Sequence, residues 1–75
     1  MSLASEKRFL DSVGRRIAET RKEKHITQET LASKAGLDRM TIALVETGMR
    51  RPSLITIYKI SKALDVKVEY LFREI

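Results

Sequence analysis

The chain has 75 residues, no cysteine and a formal net charge of +5, a length that makes one domain and leaves no room for two cores. Without cysteine it holds no disulfide and no thiolate metal site, which fits a cytoplasmic protein, and a domain this small then leans on tight helix packing or on oligomerisation. The longest unbroken apolar run, residues 42–45, falls far short of the roughly 20 residues of a membrane span, and no apolar stretch follows the opening charges as a signal peptide requires.

Residues 1–4 are expected to be disordered or vector-derived and to carry no function. Ser5 then reads as the N-cap of a first helix over residues 6–24, whose inner face is Leu10, Val13, Ile17 and Arg21 at three- and four-residue steps. His25 falls in the following loop. Thr27 caps a second helix over 28–35, since its hydroxyl can accept a backbone N–H that the first turn leaves unpaired. Gly36 stops that helix, the left-handed C′ position being free of cost for glycine. Asp38 caps a third helix over about 39–47, with its carboxylate at the positive end of the dipole, and Gly48 closes it. Ser53 caps a fourth helix over 54–64 with an inner stripe of Leu54, Ile57, Ile60 and Leu64. A last short helix over about 67–74 carries Val68, Leu71, Phe72 and Ile75. No strand-like alternation persists, so the fold class is all-α, a compact five-helix bundle.

The positive charge is unevenly placed. Residues 53–75 hold four basic and three acidic groups, so nearly all the excess lies earlier, in "RRIAETRKEK" and at Arg39, Arg50 and Arg51. Nucleic acid, anionic lipid or an acidic protein would each be drawn to such a surface, and plain solvation accounts for it equally well. The segment 28–47, "QETLASKAGLDRMTIALVET", narrows the choice. Leu31, Ala35, Leu37, Ile42 and Val45 are apolar, Ala32 is small where one helix would cross the next, and Gly36 stands at a sharp turn. That is the pattern of a helix-turn-helix, two short helices at about 90–120° joined by a turn that often contains glycine. An ordinary helical hairpin does not need the small residue and the glycine at these offsets.

With "TQETLA", "AGL", "VETG" (in place of the usual E-N-G), "RRPSL" and "ALDVKVEYLF", residues of about 12–72 resemble the Cro and phage-repressor type of helix-turn-helix domain. The chain also resembles the controller proteins of restriction–modification systems, small homodimers that regulate their own operon. The "LDR" opening of the third helix and Arg50 carry that narrower likeness, and antitoxins and phage or host regulators share the same features.

The resemblance implies that the third helix enters the major groove and reads base edges with its N-terminal half. Arg39, Met40, Ala43 and Leu44 are placed to do so. A guanidinium can give two hydrogen bonds to guanine O6 and N7, while Met40 and Leu44 offer only apolar contact to thymine methyls; either could instead pack inside the domain. Thr41, Thr27, Gln28, Arg50 and Arg51 fit contacts to the DNA backbone, which set register and make affinity fall with salt. Family members also carry an ion pair at the positions of Arg21 and Glu46, expected here to be partly buried and structural. Ile55 and Tyr58 lie off the inner stripe of the fourth helix. With Tyr70, Phe72 and Ile75 they are the candidate interface of a homodimer, whose two recognition helices would meet half-sites about 34 Å apart.

The sequence thus leads to a cytoplasmic, dimeric, sequence-specific transcriptional regulator that binds double-stranded DNA at an inverted-repeat operator. The alternative is an antitoxin-like interaction module whose main partner is a protein. No nucleophile is paired with a base, no glycine-rich phosphate loop is present, and the single histidine has no ligand set around it. Neither an enzyme nor a metal, cofactor or small-molecule site is therefore expected. No helix pairs a lysine-rich face with a wide apolar one, which argues against a membrane-surface role.

Overall fold

The computed structural model describes residues 3–75 and contains five α-helices: α1 (Leu3–Glu23), α2 (Gln28–Ala35), α3 (Arg39–Glu46), α4 (Leu54–Leu64) and α5 (Val68–Leu71). Among the described residues there is no strand.

Short polar side chains set where three of the helices begin. Thr27 Oγ1 accepts from Thr30 N at 3.0 Å, Asp38 Oδ1 from Thr41 N at 2.7 Å, and Ser53 Oγ from Thr56 N at 3.1 Å. Each satisfies one of the N–H groups that a first turn leaves without an intrahelical partner. Gly36 ends α2 at φ 69° and Gly48 follows α3 at φ 74°, the left-handed region where a side chain is strained. Two other exits use that region without glycine: His25 after α1 and Asp65 after α4, both at φ 58°.

The first and last helices depart from the expected bounds. α1 already includes Leu3 and Ala4, so the expected disorder does not hold there, and Ser5 lies inside the helix rather than capping it. The expectation for Met1 and Ser2 falls outside the described residues. α5 is one turn long and stops at Leu71. Beyond it Glu74 turns to φ 63°, outside the helical region, and Arg16 on α1 donates to the Tyr70 carbonyl at 2.6 Å and to the Arg73 carbonyl at 2.9 Å.

The core is one cluster of Val13, Ile17, Leu31, Ala32, Ile42, Val45, Ile57, Ile60, Leu64 and Leu71. α3 packs on both α1 and α2, α4 lies against α2, and α5 closes the bundle across α4 and α1. The radius of gyration is 11.4 Å, against about 11 Å for a single compact domain of this length. Leu54 is not part of the stripe expected for α4. As the helix's first residue it lies beyond the packed layer, 76% exposed, on the lip of an apolar groove of about 870 Å³ that also takes in Phe9, Pro52 and Phe72. Leu10 is half-buried at the same groove.

Gly14 decides how near α1 comes to α3. A Cβ there would sit 2.6 Å from the Glu46 carbonyl oxygen and closer still to that of Val45, and backbone at this distance has no rotamer by which to move aside. Gly14→Ala gains up to about 1 kcal/mol of helix propensity, but pushing α1 off α3 costs about 1–3 kcal/mol as overpacking. The net expectation is a lower thermal midpoint, measured by circular dichroism; an unchanged or raised midpoint would show that the two helices can separate freely.

Candidate nucleic-acid interface

α3 has two unlike faces. Ile42 and Val45 are buried in the core, held between α1 and α2. On the other face Arg39 and Met40 are exposed, Met40 at 58%, and neither belongs to the core. Ala43 and Leu44 are half-buried and also stand outside the core cluster. Arg39 makes no hydrogen bond or ion pair among the described residues. Arg39, Met40, Ala43 and Leu44 therefore share one surface, whose only charged group is a guanidinium free to choose a partner.

The far end of α3 is fixed by a junction of three helices. Arg21 on α1 grips Glu46 in a fork, Nε to Oε2 at 2.7 Å and Nη2 to Oε1 at 3.1 Å. The remaining nitrogen, Nη1, donates to the Ile26 carbonyl at 2.9 Å. Gln28 on α2 completes the set, its Nε2 donating to Glu46 Oε1 at 2.9 Å. The side chains are 11% and 5% exposed for Arg21 and Glu46. A buried pair of charges needs such full hydrogen bonding to offset desolvation, and among the described residues no buried side-chain polar atom lacks a partner. One amide donor of Gln28 is thus taken by the junction, while Gln28 still occupies the N-terminus of α2.

Around this surface the backbone-contact candidates fall into two groups. Thr27 and Gln28 stand at the start of α2, with the Thr27 hydroxyl donating to Thr30 Oγ1 at 3.0 Å besides accepting its backbone N–H. Thr41, on the first turn of α3, accepts from Arg50 Nη1 at 2.8 Å. That network reaches Asp38: hydrogen bonds from the Thr41 side chain and backbone, with the Arg50 charge nearby, hold its carboxyl below the usual 3.8. Arg51 points elsewhere. Its Nη2 lies 2.8 Å from Glu6 Oε1 on α1.

The dimer candidates also divide. Ile55, Tyr58 and Ile75 are exposed. Phe72 is half-buried and stacks on Phe9, ring centroids 6.0 Å apart. Tyr70 is half-buried between two guanidiniums, Arg16 at 5.0 Å and Arg73 at 5.4 Å from its ring centre. Among the described residues no group of acidic, histidine or cysteine side chains is arranged to hold a metal ion, and no helix is long and apolar enough to cross a membrane.

A helix-turn-helix family model matches residues 17–71, from the middle of α1 through α5. The chain belongs to this family. An uncharacterized helix-turn-helix-type transcriptional regulator of Archaeoglobus fulgidus is 44% identical over 57 residues, 76% of this chain and 81% of that protein. The crystal structure of the restriction–modification controller protein C.AhdI from Aeromonas hydrophila superimposes with a TM-score of 0.83 at 44% identity, covering 84% of this chain and 96% of that one. A tetramer of the controller protein C.Esp1396I in complex with its natural 35 base-pair operator gives 0.79 at 36% identity, covering 85% and 84%.

Three contributors to this helix-turn-helix surface escaped the sequence reading. Gly14 sets the α1–α3 distance, Lys7 ties the turn after α3 to α1, and Glu6 takes Arg51. Gly14 offers a signal in hindsight, a glycine inside an amphipathic helix with no turn to make. The ties of Lys7 to Gly48 and of Glu6 to Arg51 offer none, because they span more than 40 residues and form only when α1 crosses α3.

Glu46→Ala strands the buried Arg21 charge and is expected to cost about 3–5 kcal/mol, read as a fall in the urea midpoint; an unaltered midpoint would remove the junction as the anchor of α3. The Asp38 cap has its own signature. A carboxyl held low in the folded state stabilises the fold above its ordinary value of 3.8, and that contribution disappears as pH falls through the lower folded value. The melting-temperature gap between the native chain and Asp38→Ala should therefore stay constant at higher pH and close in acid below that point.

Proposed function

We propose that this chain is a sequence-specific, DNA-binding transcriptional regulator that acts in the cytoplasm as a homodimer on an inverted-repeat operator, in the manner of restriction–modification controller proteins. The observation that carries this reading is the outer face of α3: an unengaged Arg39 beside exposed Met40, on a helix locked at its other end by the Arg21–Glu46–Gln28 junction. In the major groove, a guanidinium in this position reads guanine, and the apolar neighbours suit thymine methyls. Thr27, Gln28, Thr41 and Arg50 border that face and supply the contacts to phosphate that hold it in register. The operator complex of the similar C.Esp1396I supports the same use of the fold.

The dimer rests on exposed apolar surface that a monomer of this size has no use for. Ile55, Tyr58, Ile75 and Leu54 are exposed large apolar residues, and Leu54 and Ile75 line the same groove. Tyr70 and Phe72 contribute from half-buried positions.

Enrichment of random duplexes on the purified protein should recover an inverted repeat with half-site centres about one helical turn apart. A single unpaired site would sink the dimer, and no enrichment the DNA reading. On the recovered operator, Arg39→Ala should weaken binding by about 1–3 kcal/mol and relax the choice at one base pair of each half-site, measured by fluorescence anisotropy against a random duplex.

A further inference from the structure

The turn between α3 and α4 carries two adjacent arginines, and the structure treats them differently. Arg50 leans on α3 through Thr41; the Asp38 carboxylate feels its charge, but among the described residues no carboxylate lies within ion-pair distance of it. Arg51 leans on α1, 2.8 Å from Glu6; its side chain is 69% exposed and that of Glu6 only 30%. The start of the same turn is tied to α1 as well. Lys7 Nζ donates to the Gly48 carbonyl at 3.2 Å and to Asp11 Oδ1 at 2.8 Å. Gly48 lies so close to α1 that a Cβ would meet Asp11 Oδ1 and come within 3.1 Å of Asp11 N. Both ends of the turn are therefore anchored on the first three turns of α1, and Arg50 projects from between the anchors. Glu6, Lys7 and Asp11 all precede the residues matched by the family model.

A phosphate that recruited Arg51 would have to take it from a carboxylate, and would leave that carboxylate unpaired beside the DNA backbone. The geometry points to a division of labour. Arg50 contacts phosphate, whereas Arg51 stays paired with Glu6 in the complex. Glu6 is then the group that keeps Arg51 off the duplex. This inference rests on the DNA-binding reading above.

The salt dependence of binding separates the two arginines, because each phosphate neutralised contributes about 0.9 to the slope of log K against log salt, whereas an arginine that stays on its carboxylate leaves that slope alone. The slope is measured on a random duplex for the unaltered chain and for Arg50→Ala, Arg51→Ala, Glu6→Gln and the Glu6→Gln/Arg51→Ala double variant. For each protomer bound, Arg50→Ala should make the slope shallower by about 0.9 and Glu6→Gln should steepen it by about 0.9 as Arg51 is released to phosphate. Arg51→Ala alone should leave it unchanged, and the steepening should vanish in the double variant. A slope that falls equally in Arg50→Ala and Arg51→Ala overturns the proposal. So does a Glu6→Gln variant that does not steepen the slope, or a steepening that survives in the double variant, which would be a bulk charge effect. Failure of the unaltered chain to bind at low salt overturns instead the DNA reading on which it stands.

Discussion

The charged fork between Arg21 and Glu46 is the constraint on which the arrangement of this molecule depends. It sits where α1, α2 and α3 meet, and it is closed by the Gln28 amide and the Ile26 carbonyl. An ion pair taken out of water gives little net stability against an apolar substitute of the same shape. Its contribution is directional: a guanidinium fork accepts a carboxylate in one plane only, so the end of α3 is fixed in rotation as well as position. Since α3 is only eight residues long, fixing one end fixes the whole helix, and with it the face that carries Arg39 and Met40.

Close backbone approach works together with that fork. Gly14 brings α1 onto the last turn of α3, and Gly48 brings the next turn onto Asp11. Both contacts fall at the C-terminal end of α3, against one turn of α1, and hold that end in place. α5 is secured by other means, with Arg16 satisfying the carbonyls of Tyr70 and Arg73 and covering the Tyr70 ring. Polar groups from α1 thus finish two other helices, which is how a chain without disulfides keeps short helices in order.

What the sequence revealed and what it concealed follow from the range of the interactions involved. Thr27, Asp38 and Ser53 act within three residues of themselves, so capping chemistry placed the starts of α2, α3 and α4 where the structure has them. The buried positions of α3 and most of those of α4 came from helical periodicity, which is likewise local. Leu54 did not, because periodicity knows the angle of a residue around a helix but not whether a neighbour reaches that far along it. The hold on α5 was hidden for the same reason, since Arg16 reaches its carbonyls from more than 50 residues earlier. At the candidate site, the likeness to known repressors supplied the pairing of Arg21 with Glu46 and the choice of outer-face residues. It treated Arg50 and Arg51 alike, since their different surroundings arise only when the start of α1 lies beside the turn.

One consequence of the two-faced α3 concerns how such a protein can change. The side chains that hold the helix, Ile42, Val45 and Glu46, are separate from those that look outward, Arg39, Met40, Ala43 and Leu44. Under the proposed function, stability and selectivity are written on different letters of the same eight-residue word. A lineage, or an engineer, can rewrite the outward letters and acquire a new address without relearning how to fold.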